Sequence, residues 1–240
     1  MSVVMGSSVP VIAIDGPSAS GKGTVAERVA QTLGFHYLDS GAIYRAAALA
    51  TVRAGLAADA AENKIAEIAG AIPLRFAESH VWLGADDITS AIRSEECGAN
   101  ASLIAALPLV RAALLQRQRD FHVAPGLVAD GRDMASVVFP DAALKVFLTA
   151  SAEERAFRRV AQLQGIPLKD AKGLIENENN AKLILLFDSV LADLQERDRR
   201  DAARATAPLK QVEGAKLLDT TNLSVDQAVE AVLGWFRATT

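Results

Sequence analysis

The segment that most constrains the fold is the run GPSASGKGT at residues 16–24, because of what lies on either side of it. The apolar run at residues 9–15 predicts a buried strand, and residues 24–33 have a helical pattern. A strand, a glycine-rich turn, a lysine and a helix in this order are the context of a phosphate-binding loop. Glycines let backbone N–H groups approach an anion, the helix start adds a positive dipole end, and Lys22 adds a mobile charge.

The loop departs from the strict pattern at one position. Gly23 follows the lysine where Ser or Thr is usual, and Thr24 comes one residue later, so the hydroxyl expected near magnesium is displaced. Gly-Lys-Gly-Thr is typical of small kinases that phosphorylate nucleotides; guanine switch proteins and motor ATPases mostly keep the strict form. The alternative is a glycine turn with a purely structural role. The predicted ATP contacts here are Gly16, Pro17, Ser18, Ala19, Ser20, Gly21, Lys22, Gly23 and Thr24.

Length and composition limit the possible classes of protein. With 240 residues, half of them hydrophobic, the chain suits one large domain with insertions or a core with two small satellites. A net charge of −4 argues against a binder of nucleic-acid polymers. The single cysteine, Cys97, excludes an internal disulfide and indicates a reducing cytoplasm. We expect no membrane span, no signal peptide in residues 1–8, and no zinc site among the three isolated histidines.

Strand and helix patterns alternate along most of the chain, which predicts a P-loop α/β fold with three layers and a mostly parallel sheet. Further strands are predicted at residues 35–38, 127–129, 144–148 and 217–218. The predicted helices begin at Ser40, at residue 57, at Ser151 and at Ser224, and they end near residues 54, 71, 165 and 238.

Two stretches break this alternation. Residues 72–98 predict a small antiparallel insert with strands at 73–78, 80–84 and 88–93. Residues 165–204 are polar at first and then form an amphipathic helix. Its apolar stripe consists of Leu183, Phe187, Val190, Leu191 and Leu194. We therefore divide the chain into a flexible tail (1–8), a core (9–71, 99–155 and 205–240), the β insert (72–98) and a lid with an insertion (156–204).

Polar clusters follow two of the predicted strands, where ligands bind in open parallel sheets. Ser40 and Arg45 come after the second strand, and they would hold a second phosphate; an ordinary helix cap and a surface arginine are the alternative. Asp130 ends the strand at 127–129, where a carboxylate would hold magnesium or its water together with Thr24. Arg132 and Asp133 lie further into the predicted cleft; solvated charges on a glycine turn are the alternative.

An arginine-rich run at residues 196–204 gives a fourth signal. On a helix, Arg197, Asp201 and Arg204 share one face. A guanidinium group can donate two parallel hydrogen bonds to one phosphate group. A solvent-exposed helix with internal salt bridges is the alternative. Arg155, Arg158 and Arg159 begin the same mobile segment and are weaker candidates for contact with the donor nucleotide, of which we include Arg158 in the predicted ATP site.

These four motifs, in this order, resemble those of the bacterial cytidylate kinases, and the resemblance runs from residue 10 to the last helix. It implies phosphoryl transfer from ATP, with Mg²⁺, to CMP or dCMP, with the β insert on the monophosphate side. The resemblance assigns the cytosine base to Ser102, Arg111 and Asp133. It also assigns the acceptor phosphate to Ser40, Arg45 and Arg132, the bridging of both phosphates to Arg197 and Arg204, and the sugar to Asp201. Lys22, Arg132, Arg197 and Arg204 are the expected catalytic residues.

The chain departs from the family pattern between residues 164 and 196, where this segment is longer than is usual in the family. The extra length leaves the geometry of the lid open. Two other functions also stay open, namely a kinase for another nucleoside monophosphate or small metabolite, and an ATPase switch. We expect a cytoplasmic monomer that binds small molecules, with no nucleic-acid or membrane partner. UMP is expected to be a poor substrate, because a uracil carbonyl would face the Asp133 carboxylate.

Overall fold

The computed structural model describes residues 9–77, 80–177 and 180–239. Within these residues, eight strands form two sheets. The larger is a parallel sheet of five strands, β1 (Val11–Asp15), β2 (His36–Asp39), β6 (Leu127–Gly131), β7 (Leu144–Thr149) and β8 (Lys216–Asp219). Their spatial order is β2-β6-β1-β7-β8. The predicted parallel sheet is therefore confirmed, with each strand within two residues of its expected bounds.

Helices cover both faces of this sheet. On one face lie α1 (Lys22–Leu33) and α9 (Val225–Arg237), and they pack on Ile12 and Ile14 of β1. Val11 and Ala13 point to the opposite face, because successive side chains of a strand alternate. That face carries α2 (Ser40–Arg53), α3 (Glu62–Ala71), α4 (Glu95–Ile104) and α5 (Pro108–Arg119). The arrangement is the predicted three-layer α/β fold.

The register of the strands brings three carboxylates to one edge of the sheet. Asp39 lies beside Asp130, and Asp15 lies beside Gly131, each pair at the carboxyl ends of neighbouring strands. The phosphate-binding loop leaves β1 at the same edge. Polar residues from distant parts of the sequence therefore meet where ligands of such sheets bind.

The helix caps are mostly those that the sequence predicts. Ser151 caps α6 (Ala152–Gln164), and Ser224 forms a capping box with Gln227 at the start of α9. Ser40 is wrong as a cap: Asp39 caps α2, and its Oδ1 accepts a hydrogen bond from the Ala42 N–H at 3.0 Å. Asp39 is the last residue of β2 and directly precedes α2. Its carboxylate therefore takes the capping role that the sequence suggested for the Ser40 hydroxyl. The alanine-rich helix predicted from residue 57 begins only at Glu62.

The small sheet consists of β3 (Leu74–Ala77), β4 (His80–Leu83) and β5 (Asp86–Asp87), all antiparallel. The third strand predicted at 88–93 is wrong, because its isoleucines have helical spacing. Ile92 N–H bonds to Ile88 O at 3.0 Å, and both side chains are buried in the core beneath α2. Residue 78, predicted as the end of the first of these strands, lies outside the described residues.

Three further helices pack around a separate apolar cluster: α6 (Ala152–Gln164), α7 (Leu168–Glu176) and α8 (Ala181–Ala203). The predicted stripe on α8 forms part of this cluster, with Leu183, Val190 and Leu194 buried. Helix α7 was not expected. Within the described residues, no single helix has the length and apolar composition to cross a membrane. Only the pair α4 and α5, with a bend of 104° between them, meets that test when both are counted together.

Candidate active site

The loop at residues 16–21 is held tightly between the sheet and α1. A Cβ at Gly16 would lie 1.9 Å from the carbonyl oxygen of Leu148, so only glycine fits this close approach. Lys22 opens α1, and its Nζ lies 3.4 Å from the Pro17 carbonyl oxygen. Burial, and next the charge of Arg132, lower the pKa of Lys22 to about 7. An anion bound in the loop would favour the charged form of this lysine.

Two clefts meet above this loop. The deep cleft has a volume of about 580 Å³ and the side cleft about 590 Å³, and both are lined by Ala19, Lys22, Gly23, Arg159 and Gln162. Of the other predicted site residues, the deep cleft is lined by Ser18, Ser40, Arg45, Ser102, Arg111, Asp130, Arg132, Asp133, Arg197, Asp201 and Arg204. The side cleft is lined by Ser20, Gly21, Thr24 and Arg158. Gly16 and Pro17 line neither cleft.

An ion pair and an unpaired hydroxyl lie together in the deep cleft. Arg111 and Asp133 form a buried ion pair, and the Arg111 guanidinium lies 5.8 Å from the centre of the Tyr44 ring. Burial raises the pKa of Asp133, and Arg111 offsets part of that rise. The Ser102 hydroxyl is buried and has no hydrogen-bond partner among the described residues. Buried polar groups rarely stay unpaired, so this hydroxyl is available for a ligand.

A cluster of arginines surrounds one buried carboxylate. Asp201 pairs with Arg132 at 3.0 Å and also with Arg204. Arg132 donates a further hydrogen bond to the Ser18 hydroxyl at 2.8 Å. Burial alone would raise the pKa of Asp201, but Arg132, Arg204 and Arg197 together hold it below its ordinary value. The carboxylate thus positions positive charges that would otherwise repel one another.

Arg197 belongs to this cluster but is not paired in the same way. Burial, followed by the charge of Arg132, lowers the pKa of Arg197 to about 10. Its Nε is buried without a hydrogen-bond partner among the described residues. Arg45 lies further along the cleft, where its Nη1 donates to the Ile92 carbonyl oxygen at 2.8 Å. An anion that enters the cleft would pair with both guanidinium groups and offset the cost of burying their positive charge.

Two carboxylates stand beside Lys22 in the deep cleft. The Tyr37 hydroxyl donates to Asp130 Oδ1 at 2.7 Å, and burial together with the charge of Asp39 raises the pKa of Asp130 to about 7. Thr24 is exposed and lines only the side cleft, so the two predicted magnesium ligands are not in one cleft. Among the described residues, no three His, Cys, Asp or Glu side chains form a metal-holding group.

The three arginines at the start of α6 have different surroundings. Arg158 pairs with Glu154 at 3.0 Å and donates to the carbonyl oxygens of Ser20 and Thr220. Arg155 is buried, pairs with Asp198 at 2.6 Å and lines neither cleft. Arg159 lines both clefts and pairs with Glu95, the first residue of α4. Of the three, Arg158 and Arg159 are therefore placed to reach a ligand.

Asp39 and Tyr44 are among the residues that line the deep cleft and to which sequence reasoning gave no role. Asp39 ends β2, so the rule that ligands bind beyond the carboxyl ends of strands would have found it. Tyr44 lies among apolar residues in α2, and no local pattern separates it from a residue of the core.

Comparison with known proteins gives consistent matches along nearly the whole chain. A family model described as cytidylate kinase matches residues 12–238. A cytidylate kinase of Chromobacterium violaceum is 58% identical over 229 residues, which are 95% of this chain and 96% of that protein. Those of Paraburkholderia phymatum and Polynucleobacter asymbioticus are 56% and 52% identical, covering 95% and 97% of this chain and 93% and 98% of those proteins.

Proposed function

The chain belongs to the cytidylate kinase family, and we propose from this premise that it transfers the γ-phosphoryl group of ATP to CMP or dCMP, releasing ADP and the nucleoside diphosphate. One observation carries the assignment of the site. Lys22 at the loop and Arg45, Arg132 and Arg197 line the same cleft, so the phosphates of two nucleotides would meet between them.

Cytosine would bind at the Arg111–Asp133 pair. Its exocyclic amine is a donor and would bond to Asp133, while its ring nitrogen and carbonyl would accept from Arg111 and Ser102. The partnerless Ser102 hydroxyl supports this assignment. Uracil presents a carbonyl in place of the amine, which would leave the buried carboxylate facing a lone pair. UMP would therefore be a poor acceptor.

Phosphoryl transfer needs little covalent chemistry from the protein, since positioning and neutralisation of charge supply most of the catalysis. Lys22 and the N–H groups of residues 16–24 would hold the donor β- and γ-phosphates. Ser40, Arg45 and Arg132 would hold the acceptor phosphate, and Arg197 and Arg204 would bridge the two. The acceptor oxygen is already ionised, so no strong general base is required. Closure of the segment at 156–204 would exclude water, a competing acceptor.

Asp201 is assigned to the sugar of the acceptor, although both of its carboxylate oxygens bond to arginines here. A sugar hydroxyl would thus share this carboxylate with Arg132 and Arg204, since each carboxylate oxygen accepts more than one hydrogen bond. On the donor side, Arg158 lies beside the loop through its bond to the Ser20 carbonyl oxygen at 3.0 Å.

The residues present fit a Mg²⁺ ion, because this ion usually takes one or two carboxylates and completes its shell with phosphate oxygens and water. Asp130 would hold it, with Asp39 beside it in register, whereas Thr24 lines only the side cleft. The ion would neutralise charge on the donor phosphates. The division into core, β insert at 72–98 and lid at 156–204, the monomeric state and the cytoplasmic location stay predictions.

The test is a coupled assay of ADP release with CMP, dCMP, UMP, AMP or shikimate as acceptor, and with none. We expect fast release with CMP or dCMP only, and a large loss of turnover in Lys22→Ala. Preference for another acceptor would indicate a different small-molecule kinase. Equal ADP release without any acceptor would instead indicate an ATPase switch.

A further inference from the structure

The N-terminus of helix α7 borders the side cleft. Leu168, its first residue, lines this cleft and is partly buried. The other apolar lining comes from Val25 of α1 and from Leu223, Val225 and Ala228 at the start of α9. None of the roles assigned above to the phosphates, the cytosine base or the magnesium ion uses α7.

A chain of charged contacts ties α7 to the phosphate-binding loop. Lys172 Nζ lies 2.5 Å from Glu154 Oε2, and the other Glu154 oxygen lies 3.0 Å from Arg158 Nε. Arg158 in turn donates to the carbonyl oxygens of Ser20 at 3.0 Å and Thr220 at 2.7 Å. Glu154 is only 7% exposed, and a buried carboxylate needs such partners. Displacing Lys172 would therefore disturb both α7 and the cleft.

Most polar side chains of the side cleft already bond to the protein itself. Besides Arg158 and Glu154, the Thr220 hydroxyl lies within hydrogen-bond distance of the Ser20 and Thr149 carbonyl oxygens and donates its one hydrogen between them, and Ser224 caps α9. These groups have little capacity left to bond to a further ligand, and the exception is the buried Ser20 hydroxyl, which has no hydrogen-bond partner among the described residues. Apolar contact is accordingly the main attraction that the side chains of this cleft offer to a flat base.

We propose that α7 is a donor-binding element, in which Leu168 packs against the base of the nucleoside triphosphate and Lys172 positions the helix through Glu154. This inference rests on the proposed function, because it requires that the side cleft take the donor. Leu168 acts by direct contact with the base, whereas Lys172 is a positioning residue.

The first experiment compares Leu168→Ala with Leu174→Ala, a matched change on the same helix at a 38% exposed residue that lines neither cleft. Binding of ATP and of inorganic tripolyphosphate is measured by calorimetry without CMP. We expect Leu168→Ala to weaken ATP binding about five- to tenfold, the scale of lost apolar contact in a pocket. Tripolyphosphate has no base, so its affinity should not change, and Leu174→Ala should resemble the wild type in both.

The second experiment compares Lys172→Met with Lys169→Met. Both remove one positive charge from α7, but Lys169 is exposed and forms no ion pair within the part of the chain that the structure describes. Only Lys172→Met should weaken ATP binding, with KM for CMP unchanged.

Unaltered ATP affinity in Leu168→Ala, or equal weakening of ATP and tripolyphosphate binding, would overturn the proposal. Failure of the wild type to phosphorylate CMP would refute the proposed function without changing these binding results.

Discussion

Asp133 and Arg111 form an ion pair in the deep cleft with side chains only 5% and 8% exposed. The two residues come from different parts of the chain: Asp133 lies two residues beyond the end of β6, and Arg111 lies in the first turn of α5. A carboxylate and a guanidinium held side by side present an acceptor next to donors, the complement of the cytosine edge. The pair therefore makes selection of the base the first property to test.

Asp133→Asn should reduce the preference for CMP over UMP at least tenfold, since an amide can donate to the uracil carbonyl where the carboxylate cannot. The measurement is kcat/KM for both acceptors. Asp193→Asn is the matched control, because Asp193 lines the same cleft and has no assigned role with the base. An unchanged CMP/UMP ratio in Asp133→Asn would remove this residue from the base site.

Arg197→Ala should lower kcat by about 10³-fold, the scale observed when a guanidinium that stabilises a phosphoryl transition state is lost. KM for CMP should change far less, because Arg197 is assigned to bridging the phosphates. Arg199→Ala tests the loss of charge alone, since Arg199 is exposed and pairs only with Glu196 among the described residues. The measurement is the steady-state kinetics of both variants. A comparable loss of kcat in Arg199→Ala and Arg197→Ala would contradict the role assigned to Arg197.

Gly98→Ala should weaken binding of the acceptor phosphate. A Cβ at this position would lie 3.0 Å from Arg45 Nη1 and 3.1 Å from its Nη2, so the guanidinium has to move. We expect KM for CMP to rise about tenfold, while inhibition by cytidine, which has no phosphate, stays the same. Gly234→Ala is the control, because a Cβ there meets no atom within 4 Å. Equal loss of CMP and cytidine binding would show that Arg45 is not the residue affected.

Asp15 gives a prediction on pH. Its two carboxylate oxygens accept from the Met134 and Ala135 N–H groups, both at 2.8 Å, and burial raises its pKa from 3.8 to about 6. A carboxyl whose pKa is raised by folding binds its proton more tightly in the folded state. Its stabilising contribution is complete below the unfolded pKa and is lost as the pH rises through about 6.

The free energy of unfolding of the wild type, relative to Asp15→Asn, should therefore fall by about 2 kcal/mol between pH about 4 and about 7. Urea unfolding of both proteins across this range measures it. A difference that does not depend on pH would mean that folding leaves the pKa of Asp15 unaltered.

The sequence predicts the central sheet well because its strands are short apolar runs followed by turns or helix caps. Errors occur where two local signals compete. Asp39 and Ser40 are both good caps, and only the geometry of the strand end selects the aspartate. Residues 88–93 contain apolar residues that suit a strand, but packing beneath α2 favours the turn that buries Ile88 and Ile92.

The site is only partly local, and this limits what its sequence can predict. The loop at 16–24 and the runs at 39–45 and 130–133 are continuous motifs. Ser102 and Arg111 lie on α4 and α5 without any motif, so only the family resemblance assigned them to the base. Helix α7 was missed because its few apolar residues form no single stripe: Ile175 packs in the separate cluster with α6 and α8, Leu168 lines the side cleft, and Leu174 is exposed. The short apolar pattern of α7 also lies within a polar stretch of sequence, so it did not indicate a helix.

The central claim is that the phosphates of two nucleotides meet in one cleft lined by Lys22 and the arginines. The most direct test is inhibition by a compound that joins adenosine and cytidine through a single polyphosphate chain. The account predicts competition against both ATP and CMP, with tighter binding than either nucleotide alone, because linked ligands bind their second site intramolecularly. Competition with only one of the two substrates, or binding no tighter than that of ATP, would contradict it.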